Sequence, residues 1–403
     1  MPLYRRLVAQ ELEEKKSEFS RDIGSEAIEA YQEAAETLAG LAKEEFDRRV
    51  SRIDAPSAIP TQEFAEHDGL CIPFEASTDW QSHEDVNTWA RSQFEGVTTV
   101  AADGSQIDPI AEFEQPVGLV QVVWMENNHE AEGDYEEDVE TELLTPDDLL
   151  FEDPNTGYVH VDEQEVPVTR FETEMEILED RIAEHSEDEK RPVVMYDGSL
   201  ILSFTQMMDQ KTQTRYGEAL SRLIAASKHH NVPVLGYISG SRATELGKLL
   251  KELDIVDADR SVRDYQILDE LLTNWGSRTV LFRSQRDSTL QKLQTTYQGT
   301  DYDFSEDILF TYLNTGPGPQ LDRIELPRWV YEADLVDHIL SVVRAEAGVG
   351  RGYPEIIQSV DTDAVLSRED RDEFLRLCQE FSDENDIEMR WNNKALSKKR
   401  RRR

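Results

Sequence analysis

The sequence predicts a mixed α/β protein, a sheet flanked by helices, on three observations. Beyond residue 97, short β-branched runs alternate with amphipathic helical stretches. Before residue 55, apolar residues recur at helical spacing with no β-run among them. The chain has 403 residues, enough for one large domain or two to three ordinary ones.

Taken in order, Leu7, Leu12, Phe19, Ile23, Ile28, Tyr31, Leu38, Leu41 and Phe46 are spaced helically among charged residues. Gly24 and Gly40 interrupt this pattern, so residues 1–55 are expected to form a helical hairpin outside the main domain. Residues 56–96 read as a linker and a short helix, because Pro, Ala and acids dominate the stretch from Pro56 to Pro73. The first strand is expected over 97–102, stopping at Asp103-Gly104-Ser105, and the second over 117–125. Residues 126–166 are mostly Glu, Asp, Asn and Pro and read as an acidic insertion.

Phe171, Met175, Leu178 and Ile182 form one apolar stripe that marks a helix, and residues 192–196 form a buried strand ending at Asp197-Gly198-Ser199. Helices at 216–229 and 243–253 flank a strand at 232–238. Strands follow at 280–282, 308–312 and 323–331, with Gly316-Pro317-Gly318-Pro319 as a stiff turn. Helices are expected around 333–346 and 367–382. The main domain is therefore placed at 97–370, a C-terminal helix and extension at 371–397, and a basic tail, Lys398-Lys399-Arg400-Arg401-Arg402-Arg403, at 398–403.

Composition narrows the class. Lys and Arg total 42 against 84 Asp and Glu, a net charge of −42. Mean hydropathy is −0.61, and no apolar run approaches the roughly 18–20 residues of a membrane span. With no apolar leader after Met1 and only Cys71 and Cys378, a cytoplasmic protein without disulfides or a Cys-based metal cluster is expected. Acids pervade every segment and Arg outnumbers Lys, a pattern that resembles proteins adapted to high salt. At about 1 M salt the Debye length is about 3 Å. Net acidity therefore does not exclude a nucleic-acid partner.

The chemistry concentrates at the two Asp-Gly-Ser tripeptides, 103–105 and 197–199, each placed after a β-run. An Asp at a strand end projects from a rigid element, and the Gly beside it allows a positive φ or a close backbone approach. If the strands are neighbours, the carboxylates converge, and hard divalent cations require such oxygen ligands. The plain alternative is two turns with self-capping Asp residues. Between them, the apolar stripe puts Glu174 and Glu179 at its two borders and Glu176 further toward solvent. Glu174 also stands four residues after Arg170, which suits a helix-surface ion pair. Arg242 and Arg323 are candidate phosphate contacts, since guanidinium forks match phosphate oxygens, and an ion pair with one of the many acids is the plain alternative for each. No Gly-Lys-Ser/Thr phosphate loop occurs, so an ATP-driven motor would have to be another protein.

In order along residues 97 to about 370, the chain resembles the NurA nuclease family, and with its composition a haloarchaeal member. The resemblance rests on Val100-Ala101-Ala102-Asp103-Gly104-Ser105, the Arg170/Glu174 helix and Val194-Met195-Tyr196-Asp197-Gly198-Ser199-Leu200. It extends through Gly236-Tyr237-Ile238 with Arg242, Arg323-Ile324-Glu325-Leu326-Pro327-Arg328 and Gly352-Tyr353-Pro354. It implies an RNase H-like core and a Mn²⁺- or Mg²⁺-dependent nuclease degrading DNA from 5′ ends. It also implies a homodimer working with a HerA-like hexameric ATPase on single-stranded and duplex DNA ends at double-strand breaks. Asp103, Glu174 and Asp197 match the metal-binding carboxylates, and Tyr353 matches the Tyr-Pro position. Asp361 falls where the family usually has a His, which preserves oxygen ligation but not imidazole acid/base chemistry. Asp361 could instead cap the helix that follows. The contrasting expectation is a catalytically inert scaffold subunit for DNA repair, supported by that missing His.

Overall fold

The computed structural model describes residues 3–19, 25–67, 69–75, 80–109, 115–130, 133, 135–153, 156–285, 293–305, 307–316 and 321–385. The basic tail, the extension from residue 386 and Pro317-Gly318-Pro319 of the expected turn lie outside the described residues.

The chain opens with helices α1 (Arg5–Glu14), α2 (Lys16–Phe19), α3 (Ser25–Ala39) and α4 (Lys43–Val50), then strand β1 (Ala58–Pro60), α5 (Glu63–Glu66), β2 (Cys71–Ile72) and α6 (His83–Phe94). Next come β3 (Thr99–Ile107), β4 (Gly118–Asn127), β5 (Tyr135–Leu144), α7 (Pro146–Leu149), β6 (Leu150–Glu152), β7 (Val159–Val161), α8 (Glu165–Glu184), β8 (Val193–Asp197), α9 (Gln210–His230) and β9 (Val234–Ile238). Helices α10 (Glu245–Glu252) and α11 (Asp264–Leu268) precede β10 (Arg278–Thr279), β11 (Phe282–Ser284), β12 (Gln294–Tyr297), β13 (Thr300–Asp303), β14 (Ile308–Leu313) and β15 (Asp322–Pro327). The described chain closes with α12 (Arg328–Glu332), α13 (Val336–Val349), α14 (Glu355–Ala364) and α15 (Arg368–Glu384).

One large mixed sheet organises the molecule, in the order β1-β11-β14-β15-β9-β8-β3-β4-β5, with β10 and β2 attached through β14. Strands β3, β8 and β9 run parallel, while β4 and β5 continue from β3 as an antiparallel meander. This is the mixed sheet flanked by helices that the sequence predicts, with the RNase H-like order of three meandering strands beside two parallel ones.

Alternation along the central strands sends Val100, Ala102 and Val194 into one core with Phe171, Met175 and Leu178 of α8 and Leu220 and Leu223 of α9. Ala101, Val193 and Met195 face the other way, into a core with Ile339 and Val343 of α13 and Ile357 and Val360 of α14. A third core joins Tyr31, Leu38 and Phe46 to Leu249, Ile267, Phe282 and Tyr312.

Four expectations are corrected. The N-terminal helices are present, but residues 25–50 do not stand apart as a hairpin: α3 and α4 bury their apolar faces in the third core, against α10 and α11. The expected linker contributes β1, paired with β11, and β2, paired with β10. The acidic segment 126–166 is not a plain insertion, since β5 pairs with β4 along its whole length, from Asn127↔Tyr135 to Gly118↔Leu144. As the last strand of the sheet it is exposed at every position but Leu144, so acids are tolerated on both faces and no alternation betrays the strand. Finally, the strand expected over 323–331 stops at Pro327, which cannot donate to a ladder and caps α12 instead.

Candidate active site

The parallel pairing of β3 with β8 runs from Thr99↔Val193 to Ala102↔Tyr196, so Asp103 and Asp197 occupy the next matching positions. By strand alternation both point to the face covered by α14. Strand β3 does not stop there but continues to Ile107, because β4 pairs with it as far as Ile107↔Leu119.

Asp361 lies on α14, in its last two turns and exposed, so it does not cap a following helix. Its charge acts on both Asp103 and Asp197. Burial raises the Asp103 carboxyl above its ordinary range, opposed by the Gly104 backbone and the Arg170 charge, and Asp361 adds to the rise. Burial likewise raises Asp197, opposed by a hydrogen bond donated by the Tyr353 hydroxyl, while Asp103 and Asp361 push it further up. Tyr353 occupies the turn between α13 and α14 and packs edge-on against Tyr237, ring centroids 5.2 Å apart. Burial and the Asp197 carboxylate keep its hydroxyl protonated.

Glu174 approaches from the opposite face, on α8. It is 4% exposed, and burial pushes its carboxyl up to about 8, Arg170 opposing while Asp103 and Asp197 reinforce. Arg170 Nη1 donates to the Gly104 carbonyl at 2.9 Å, and its Nε lies 3.4 Å from Glu174 Oε1. Gly104 makes this approach possible: a Cβ there would fall 2.6 Å from Glu174 Oε1 and 2.7 Å from Arg170 Cγ. The glycine is needed for close approach, since it has no positive φ. The other α8 carboxylates point elsewhere, Glu172 to Arg215 and Glu179 to Arg222, and Glu176 is exposed.

Asp103, Glu174, Asp197 and Asp361 thus form one electrostatically coupled group at the end of the parallel strands. Among the described residues, no three His, Cys, Asp or Glu side chains are gathered closely enough to hold a metal ion as they stand. The donor set nevertheless fits a hard divalent cation, being all oxygen, and Glu174 Oε1 is buried without a hydrogen-bond partner.

The two arginines separate. Arg242 is exposed in the loop between β9 and α10. Arg323 is 2% exposed: Nη1 meets Glu245 Oε2 at 2.7 Å, Nε donates to Glu325 Oε1 at 2.7 Å, and the guanidinium stacks on Phe310. The expectation of a backbone-phosphate contact at Arg323 is therefore corrected to an internal ion-paired position. The sequence leaves an ion pair open at Arg323 but does not name Glu245, which is 78 residues away. Gly104 and Ser199 carried only their tripeptide as a signal; Ser199 Oγ donates to Glu325 Oε2 at 2.8 Å.

Fold and site together define a mixed α/β protein with a group of carboxylates on its central parallel strands. A family model described as the NurA domain matches residues 97–366, more than half of the chain, and the chain belongs to the NurA family. Membership implies a nuclease-associated function in DNA repair. No curated protein matches the chain. Among the described residues no helix is long and apolar enough to cross a membrane.

Proposed function

We propose that this protein is a divalent-metal-dependent deoxyribonuclease, with Asp103, Glu174, Asp197 and Asp361 as oxygen ligands for Mn²⁺ or Mg²⁺. The observation that carries the reading is the register of β3 and β8, which sets Asp103 and Asp197 side by side, with Glu174 and Asp361 coupled to them from the two faces. Bound divalent metal would supply Lewis-acid activation of water and neutralisation of charge on the phosphodiester.

The chain's own residues then have distinct tasks. Asp103 and Asp197, on rigid strands, fix the donor geometry. Tyr353 holds the Asp197 carboxylate through its hydroxyl and favours the ionised form that a metal requires. Arg170 holds Glu174 beside Gly104 through its ion pair, and a bound cation would compete with it for Oε1. The remaining features follow the family resemblance: 5′-to-3′ degradation of single-stranded and duplex DNA ends in double-strand break resection, as a cytoplasmic homodimer fed by a HerA-like hexameric ATPase. End-labelled DNA incubated with Mn²⁺, Mg²⁺ or EDTA tests the reading: metal-dependent shortening that Asp103→Ala and Asp197→Ala both abolish supports it, and its absence in folded protein favours an inert scaffold.

A further inference from the structure

Asp322 opens β15 on the face of the sheet that Asp103 and Asp197 share. Tyr237 of β9 pairs with Asp197 on one side and with Ile324 on the other, and Asp322 stands two positions before Ile324. It is 3% exposed, and among the described residues no cation offsets its charge. A buried carboxylate without a cation is costly unless its oxygens are hydrogen-bonded. Three hydroxyls meet this one: those of Tyr237, at 2.5 Å, of Thr315 and of Ser239.

Two of these hydroxyls lead to Tyr353. The Tyr237 ring packs edge-on against the Tyr353 ring, so anchoring the Tyr237 hydroxyl on Asp322 fixes the surface on which Tyr353 rests. Thr315 Oγ1 lies between Asp322 and the Gly352 carbonyl, 3.0 Å from the latter, and shares its one proton between them. The Thr315 carbonyl is held in turn by Trp275 Nε1 at 2.7 Å. Gly352, at φ +113°, also donates its N–H to the Ala347 carbonyl at 2.7 Å. The turn between α13 and α14 is thus fastened through both backbone groups of the residue preceding Tyr353, and the Tyr353 hydroxyl reaches Asp197.

We infer that Asp322 is a positioning residue of the candidate site: through Tyr237 and through the Thr315 contact to Gly352 it sets Tyr353, and Tyr353 sets the Asp197 carboxylate for metal. A carboxylate serves here where an apolar residue would not, because only an acceptor gathers hydroxyls from separate segments of the chain. The metal part of this inference rests on the nuclease reading above; the hold on Tyr353 does not.

The test is a double-mutant cycle on the whole chain with Asp322→Asn and Tyr353→Phe, reading Mn²⁺ affinity from the EPR signal of free Mn²⁺ at one pH. Asp322→Asn keeps the size of the side chain and exchanges one acceptor for a donor. It is expected to weaken Mn²⁺ binding about tenfold in the wild-type background, the low end for groups that orient a metal ligand, and to change it little in the Tyr353→Phe background. Thr315→Val, which leaves Asp322 in place and cuts the route to Gly352, should give the same pattern and serves where Asp322→Asn does not fold. Equal losses in both backgrounds, or wild-type affinity in Asp322→Asn, would overturn the inference, since a purely structural role acts whether or not the Tyr353 hydroxyl is present. ¹⁹F NMR of the metal-free protein carrying 3-fluorotyrosine, with the Tyr353 resonance assigned by its loss in Tyr353→Phe, reads the hold directly. Asp197→Asn and Asp322→Asn should both move that resonance, and an unmoved resonance in Asp322→Asn would also overturn the inference. The two readings fail separately. Mn²⁺ binding without coupling leaves the nuclease and removes the role of Asp322; folded wild type that binds no Mn²⁺ removes the metal site, and the ¹⁹F shift then decides the hold on Tyr353 alone.

Discussion

Glu174 rests against the backbone of Gly104, so closely that a single added methyl group would stand 2.6 Å from its Oε1. A residue of helix α8 and the central residue of the first Asp-Gly-Ser segment thereby meet without an intervening side chain. Gly104→Ala should force both Glu174 and Arg170 away and cost about 1–3 kcal/mol, the range for overpacking a filled site. Urea unfolding should show the loss, and DNA cleavage should fall with it. Wild-type stability and activity in this variant would show that the close approach has no consequence.

Tyr353→Phe removes the hydroxyl that lowers the Asp197 carboxyl toward its ordinary range. Asp197 then ionises at higher pH, so the acidic limb of the pH–rate profile should move upward while activity at alkaline pH is largely kept. A uniform loss at all pH values would assign Tyr353 a different part.

Burial holds the Glu174 carboxyl at about 8, and a metal ligand must be ionised. Mn²⁺ affinity should therefore rise as pH increases through about 8, with proton release on binding. Calorimetry in buffers of different ionisation enthalpy measures that release, and Glu174→Gln should abolish it near pH 7.5. Proton release equal in both proteins would place Glu174 outside the metal site.

His185 tests electrostatics away from the site. Its Nε2 lies 2.8 Å from Glu126 and its Nδ1 2.9 Å from Asp188. The Glu126 hydrogen bond, opposed by burial and aided by Asp188, raises the imidazole above its ordinary 6.5. In that window the folded state binds more protons than the unfolded one. The contribution is thus complete below pH 6.5 and fades as pH rises through the raised value. The stability difference between wild type and His185→Gln should shrink from pH 6 to pH 9, and a constant difference would contradict the sign.

Arg323→Met should destabilise the fold by about 3–5 kcal/mol, because Glu245 and Glu325 would be left as buried charges without their cation. Chemical denaturation reads this directly. Near-wild-type stability would mean that Arg323 is free to serve another purpose.

What could be read from sequence follows from how local each signal is. The two Asp-Gly-Ser tripeptides and the α8 stripe carried their message within a few residues: they pointed to Asp103 and Asp197, and left Glu174 and Glu179 together at the borders of the stripe. The choice among Glu174, Glu176 and Glu179 needed the position of Gly104, which periodicity alone does not supply. Strand β5 was hidden because both its faces meet solvent, and β1 and β2 because strands of three and two residues show no period. The burial of Arg323 depends on Glu245, a partner remote in sequence but adjacent across the fold.

Asp103, within β3, and Asp197, at the end of β8, are the central carboxylates of the site. The most direct test follows end-labelled DNA in about 2 M KCl, which screens the −42 net charge. Wild type, Asp103→Ala and Asp197→Ala are compared with Mn²⁺, Mg²⁺ and EDTA. Shortening by the wild type with metal, lost in EDTA and in both folded variants, is the predicted result. Cleavage that survives either substitution, or folded wild type that leaves the DNA intact under every condition, would contradict it.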